Sequence, residues 1–218
     1  RLYPLMVSQV TLVREIKKLG KDKKISGIIV QLPLPKHINT QPILDAIPRY
    51  KDVDVLSSSS FAEFVFGALS ILPPTVAAIA LLIKETLRQS SGQAKKNLEG
   101  TRVAVVGAGR LVGFPVSLWL TQQGAIVSLI QKGTKNAPQL IRKADIVISG
   151  VGKPGLITGK MIKRGADFYV NTKIENLEKQ MLANSETPEY IKAHLKEPRK
   201  KYILHAYTDQ YIIFEIRK

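Results

Sequence analysis

A chain of 218 residues with 44% apolar content is long enough to bury a real core, as one large domain or two small ones. Cysteine is absent, which excludes disulfides and thiolate-metal sites, and the three histidines (His37, His194 and His205) lack the spacing of a zinc site. A formal net charge of +16 admits three readings: nucleic-acid binding, attraction of small polyanions such as dinucleotides, or a plain basic surface.

The basic residues are spread along the chain, with no aromatic-interleaved basic motif and no zinc-finger or RNA-binding signature. A basic surface with polyanionic small ligands is therefore preferred, and nucleic acid is not expected as a partner. No apolar run approaches the ~20 residues of a membrane span, so no membrane association is expected. The longest apolar-rich stretch, Val76 to Ile83, runs at once into Lys84 and Glu85 and reads as a core helix. No secretory signal is visible, the start at Arg1 rather than Met suggests that sequence is missing upstream, and a cytoplasmic location is expected.

In chain order, Met6, Val10, Val13, Ile16 and Leu19 follow helical spacing until Gly20 ends the run. Gly27–Leu32 reads as a buried strand, stopped by Pro33 and Pro35. Thr40 is a candidate N-cap for a short helix over Gln41–Ile47, with Pro42 in its first turn. Lys51-Asp52-Val53-Asp54 and the run Ser57–Ser60 read as loop. A helix is expected from Thr75 to about Gln89, then a polar linker to Gly100.

Beyond the linker the pattern repeats as strand, helix, strand: Arg102–Val106, a helix ending near Gly124, Ile126–Ile130, Ala137–Lys143 and Asp145–Gly150. Turns around Gly155–Gly159 and a short strand over Asp167–Val170 follow. The fold class is α/β, a Rossmann-like parallel-sheet cofactor domain with a partial α/β catalytic domain. The expected division is 1–90, 91–172 and a divergent tail, 173–218. In the tail, Ile174–Leu182 and Thr187–Leu195 look helical, while Tyr202–Leu204 and Tyr211–Ile216 look extended.

Three features carry chemistry. Gln31, at the end of the first strand, is placed either to meet a substrate or to cap loop backbone. Asp52 and Asp54, two apart, would share a face if extended, and could stabilise a cation or take up a proton; such a pair also caps loops. The third is Gly107-Ala108-Gly109-Arg110-Leu111-Val112-Gly113, between a predicted strand and helix. Gly107 permits the turn, Gly109 lets amides approach a pyrophosphate, and Gly113 lets the helix pack on the sheet. The second strand of this unit runs into Gln131-Lys132-Gly133-Thr134-Lys135 with no acid to accept ribose hydroxyls. Lys132 and Lys135 suit a 2′-phosphate, so NADP is preferred, with NAD possible.

Taken together these segments resemble the bifunctional methylenetetrahydrofolate dehydrogenase/methenyltetrahydrofolate cyclohydrolase family over about 150 residues, from about Leu12 to Gly165. The most specific piece is Gly27–Ile38 (GIIVQLPLPKHI); Lys51–Asp54, Leu72–Thr75, the Gly107 loop and Ala144–Gly159 follow in the family's order. The resemblance implies a two-domain, usually homodimeric enzyme of one-carbon metabolism. It would oxidise 5,10-methylenetetrahydrofolate with NADP, or NAD in some members, and hydrolyse the product to 10-formyltetrahydrofolate.

On that resemblance Gln31 matches an active-site glutamine that assists a catalytic lysine, and Asp54 the aspartate that binds the pterin, with Leu32 and Pro33 lining the substrate. Gly107, Ala108, Gly109, Arg110 and Gly113 would hold the cofactor phosphates, and Lys132 replaces a serine that also contacts NADP. No metal is implied. The family's Tyr-x-x-x-Lys precedes Arg1, so the hydrolytic step is expected to be impaired; the alternative is a catalytically inactive nucleotide- or folate-binding homologue. Val55 replaces a glycine and Val76 a proline, and the later Asp-x-Gly and Thr-Pro-x-Pro-Gly-Gly-x-Gly-Pro segments are missing. Tyr169-x-x-x-Lys173 resembles the absent motif, which on a helix would put both residues on one face.

Overall fold

The computed structural model describes residues 3–4, 6–89, 97–151, 156–170 and 213–217. The chain divides into two compact units, Arg1–Ala77 with Tyr207–Lys218, and Ala78–Ala206.

The first unit opens on α1 (Gln9–Lys21), where Leu12, Ile16 and Leu19 bury one face at i, i+4, i+7 spacing. The helix starts three residues later than the apolar spacing suggests, because Ser8 caps it by accepting from the Thr11 amide. Strand β1 is Ile25–Val30, not Gly27–Leu32. Gln31 and Leu32 already belong to the turn into a cis Leu32–Pro33 peptide. Short α2 (Thr40–Asp45) is capped by Asn39 rather than Thr40, the Asn39 side chain accepting from the Gln41 amide.

A single 3-10 turn, Arg49–Lys51, precedes the aspartates. The serine run is helix, not loop: α3 spans Ser58–Val65, with the Ser57 hydroxyl accepting from the Ser60 amide as its cap. Periodicity over so short and polar a stretch is weak, and the cap decides the conformation. These elements close on a core of Leu12, Ile16, Leu19, Ile25, Ile28, Val30, Ile43, Leu44 and Ile47. Beside β1 runs β6 (Ile213–Arg217), antiparallel, with Val30 opposite Ile213 and Ile28 opposite Glu215.

Helix α4 (Pro74–Gln89) buries Val76, Ile79 and Ile83, one stripe at i, i+3, i+7. Residues 90–96 of the expected linker lie outside the described residues, and Asn97–Gly100 is a turn held within the second unit by the Gly100 amide on the Gly124 carbonyl.

The second unit is a parallel sheet in the order β3-β2-β4-β5, from β2 (Arg102–Val106), β3 (Ile126–Ile130), β4 (Ile146–Ser149) and β5 (Asp167–Val170). Helix α5 (Gly113–Gln122) joins β2 to β3, and α6 (Ala137–Lys143) joins β3 to β4. The chain therefore leaves β2 to one side and returns to β4 on the other, a topological switch at the carboxyl end of β2. Asp145 fastens the start of β4, accepting from the Arg102 amide and pairing with Lys163. Ala104, Val106, Ile130, Ile141, Ala144 and Val147 form the core on one side of the sheet. Tyr169 lies in β5 opposite Ile148, extended rather than helical, so it cannot present a helical Tyr-x-x-x-Lys face. Lys173 and the tail segments 174–182, 187–195 and 202–204 lie outside the described residues.

Candidate functional site

In the second unit the loop Gly107–Val112 sits at the switch point, and its shape is fixed by contacts only glycine permits. Gly107 has φ +100, and a Cβ there would lie 2.7 Å from the Val151 side chain. At Gly113 a Cβ would fall 1.5 Å from the Gly107 carbonyl oxygen, inside any contact radius, so the first turn of α5 rests directly on the start of the loop. The Val112 side chain packs on Gly150, where a Cβ would meet it at 2.8 Å.

Gly109 differs, because a Cβ there would meet nothing within 4 Å. The loop is thus packed at both ends and open at its middle, beside Ala108 and the exposed Arg110. Its Gly109 carbonyl accepts the Val112 and Phe114 amides, and no side chain caps α5. With the Val112 and Phe114 amides taken by that carbonyl and Pro115 lacking an N–H, this ten-residue helix offers an anion chiefly its dipole and the Gly113 amide. After β3, the chain turns through Gln131–Thr134, where the Thr134 amide meets the Gln131 carbonyl and the Gln131 amide meets the Thr134 hydroxyl. That turn leaves Lys132 and Lys135 exposed.

In the first unit the geometry is built by side chains. A parallel bridge between Ile28 and Asp52 lays the aspartate segment beside β1. Gln31 and Asp54 follow their bridge partners by three and two residues, so both leave the bridge in the same direction. The Gln31 amide donates to the Leu32 carbonyl at 2.9 Å, a cap on its own turn, and among the described residues it bonds to no lysine.

The aspartates do not stand on an extended segment, because Val53 and Asp54 lie in a turn. Asp52, 1% exposed, accepts from the amides of Leu56 (3.2 Å) and Ser57 (2.8 Å), closing the loop into α3. Asp54 is half-buried, and no described residue donates to it. Burial pushes its carboxyl up to about 6, and the nearby Asp52 charge adds to the rise. A carboxylate held without a donor has both oxygens free for a ligand's N–H groups.

Sequence reasoning missed two supports of this segment. Lys51 is buried and donates to the carbonyls of Gly20 and Asp22, both at 2.7 Å, and of Leu19 at 3.4 Å; this anchors the 3-10 turn on the end of α1. Val55 is buried with φ +57, a left-handed conformation that a β-branched residue rarely adopts. Its strain of about 1–2 kcal/mol is offset by burial of the isopropyl group, about 1.5–3 kcal/mol. A valine at a glycine position was the visible signal for it. Among the described residues no cluster of His, Cys, Asp or Glu could hold a metal ion, and no helix is long and apolar enough to cross a membrane.

A parallel sheet whose switch point carries a packed glycine turn and an uncapped helix defines the class of dinucleotide-binding α/β domains. The NAD(P)-binding domain model of tetrahydrofolate dehydrogenase/cyclohydrolase matches residues 73–183, and the catalytic domain model of the same family matches residues 1–54. The chain belongs to the tetrahydrofolate dehydrogenase/cyclohydrolase family.

It is 39% identical to the bifunctional protein FolD of Geotalea daltonii over 163 residues, 75% of this chain and 55% of that one. With FolD of Acetivibrio thermocellus the identity is 38% over 175 residues, 80% of this chain and 58% of the relative. Among solved structures it resembles the FolD dehydrogenase/cyclohydrolase of Campylobacter jejuni (TM-score 0.69, 32% identity, 75% and 56% of the two chains). It also resembles the Trypanosoma brucei FolD complexed with NADP and inhibitor (TM-score 0.66, 34% identity, 76% and 54%). The chain spans about half the length of the curated relatives it matches.

Proposed function

We propose that this chain carries out NADP-dependent oxidation of 5,10-methylenetetrahydrofolate to 5,10-methenyltetrahydrofolate, as part of a bifunctional dehydrogenase/cyclohydrolase of one-carbon metabolism. The observation that carries the reading is the glycine loop, closed at Gly107 and Gly113 and open at Gly109, at the switch point of a parallel sheet. The residues present fit the cofactor. Gly107, Ala108, Gly109, Arg110 and Gly113 would hold the pyrophosphate, and the exposed Lys132 would meet the 2′-phosphate that distinguishes NADP from NAD. NADP, when bound, supplies the hydride acceptor.

The chain's own residues bind and orient the folate. Asp54 accepts hydrogen bonds from the amino edge of the pterin, and its negative charge favours the cation that forms when the methylene carbon is oxidised. Leu32 and Pro33 line the substrate beside it. Gln31 turns its amide from the Leu32 carbonyl to the substrate or to the catalytic lysine of the second step. With the Gln31 amide held on the Leu32 carbonyl, hydrolysis to 10-formyltetrahydrofolate is the weaker of the two steps in this reading. A cytoplasmic homodimer is the assembly this reading carries with it.

Titrating NADP into the purified protein, then assaying NADPH formation from 5,10-methylenetetrahydrofolate and hydrolysis of 5,10-methenyltetrahydrofolate separately, tests the reading. NADPH formation with slow hydrolysis is expected. NADP binding with no NADPH formation would instead indicate an inactive binding homologue. Robust hydrolysis would sink the proposed imbalance between the two steps.

A further inference from the structure

The charge of this protein is not as evenly spread as its sequence suggests. Between Gln9 and Lys24 there are six basic residues against two acidic ones, Glu15 and Asp22. Arg14, Lys17, Lys18 and Lys21 recur at i, i+3, i+4 and i+7, so they lie along one face of α1, opposite the stripe of Leu12, Ile16 and Leu19 buried in the core. All four are exposed, and Lys23 and Lys24 continue the exposed row through the turn into β1. Asp22 is engaged locally, accepting from the Lys24 amide. Lysines in the last turn of a helix complement its dipole, but that accounts only for Lys18 and Lys21.

Folding adds what the linear sequence lacks. Tyr50 lies thirty residues downstream, yet its hydroxyl donates to the Gly20 carbonyl at 3.2 Å, which sets its ring at the C-terminal end of this basic row. The ring stays 74% exposed although it is held at its tip and sits on a 3-10 turn anchored by Lys51. Lys51 Nζ lies 5.6 Å from the ring centroid, a cation–π contact. An aromatic fixed in place and left open to solvent at the end of a row of cations combines a stacking platform with charge that a phosphate backbone can follow.

We propose that this face, from Arg14 to Lys24 with Tyr50 at its end, binds single-stranded nucleic acid. The four helical cations span about 10 Å at the ~1.5 Å rise of a helix, and Lys23 and Lys24 extend the row, giving charge for about four to six phosphates. Charge alone would serve an acidic peptide equally well; the pre-set, exposed ring favours a ligand with flat bases. The proposal is independent of the folate reading, since none of these residues has a place in that site.

Fluorescence anisotropy of the purified protein with a labelled oligo-uridine tests it. Binding is expected at 50 mM salt, with a loss of about 50- to 300-fold by 200 mM if about four to six phosphates are contacted. The exposed triple change Lys17→Gln, Lys18→Gln and Lys21→Gln should flatten the log–log salt slope by about 2. Tyr50→Ala should weaken binding about tenfold with the slope unchanged, while Tyr50→Phe retains it, which separates the ring from its structural hydroxyl. No binding at 50 mM salt overturns the proposal, as does unaltered binding by the triple variant or by Tyr50→Ala. Competition by polyglutamate as effective as oligo-uridine at equal charge would also overturn it, in favour of an acidic-peptide surface.

Discussion

The glycine loop and the aspartate segment, the two candidate ligand-binding regions, are shaped by opposite means. Around Gly107 and Gly113 the backbone does the work, and side chains are excluded because there is no room for them. Around Asp52 and Asp54 the side chains do it: one carboxylate folds the loop, and the other receives no donor among the described residues. At Gly107 and Gly113 the first design tolerates almost no addition of atoms, and the second tolerates almost no removal of them.

The comparison breaks most visibly if Gly113→Ala is tolerated. Its Cβ would overlap the Gly107 carbonyl, so a loss of about 3 kcal/mol or more is expected, together with NADP binding, measured by denaturant titration and cofactor fluorescence. Nearly as large is the opposite experiment, Asp52→Ala. Two buried amides lose their acceptor, and about 3 kcal/mol of stability should go with them, while NADP affinity in the other unit stays within twofold.

Asp54→Asn sharpens the contrast, because it should cost function and raise stability. The folded carboxyl titrates near 6 and its ordinary value is 3.8. Folding therefore favours the protonated form, and stability falls as pH rises from about 4 through 6. The amide variant should melt higher than wild type at pH 7.5, by about 1 kcal/mol after solvent screening, and match it near pH 3. Folate affinity of the wild type should fall as pH drops through 6, and the variant should show no such step. A parallel pH profile in both proteins would remove Asp54 from the binding site. The smallest effect is expected at Gly109→Ala, where there is space: stability unchanged within about 0.5 kcal/mol and NADP affinity reduced about tenfold. An unchanged affinity would mean that the open middle of the loop does not face the cofactor.

The two regions also differed in how readable they were. Strand-loop-helix order and glycine spacing are local, so β3, α6 and β5 fall where periodicity puts them, at Ile126–Ile130, Ala137–Lys143 and Asp167–Val170. The aspartate segment depends on partners far away in sequence. Nothing local to Asp52 shows that it will bridge to Ile28, nor local to Lys51 that it will bind the end of α1. The serine run departs from its composition for the opposite reason, a purely local one: a single cap at Ser57 decides the conformation. Tyr50 is the extreme case: an isolated tyrosine in sequence, it becomes an exposed ring beside lysines only through the Gly20 carbonyl.

The pairing of β1 with β6 bears on when β1 gains its neighbour during synthesis. Val30 waits for Ile213, which lies nearly the length of the chain downstream. At typical elongation rates of about 5–20 residues per second, that interval is roughly ten to forty seconds. The parallel sheet is translated entirely within it and has every strand in hand before β1 gains this neighbour. Until then the apolar strand Ile25–Val30 has an edge to which another chain could add. The vulnerable moment for aggregation on the ribosome is therefore the early life of β1, and a chaperone or slowed initiation should help soluble yield more than any change in the nucleotide-binding half.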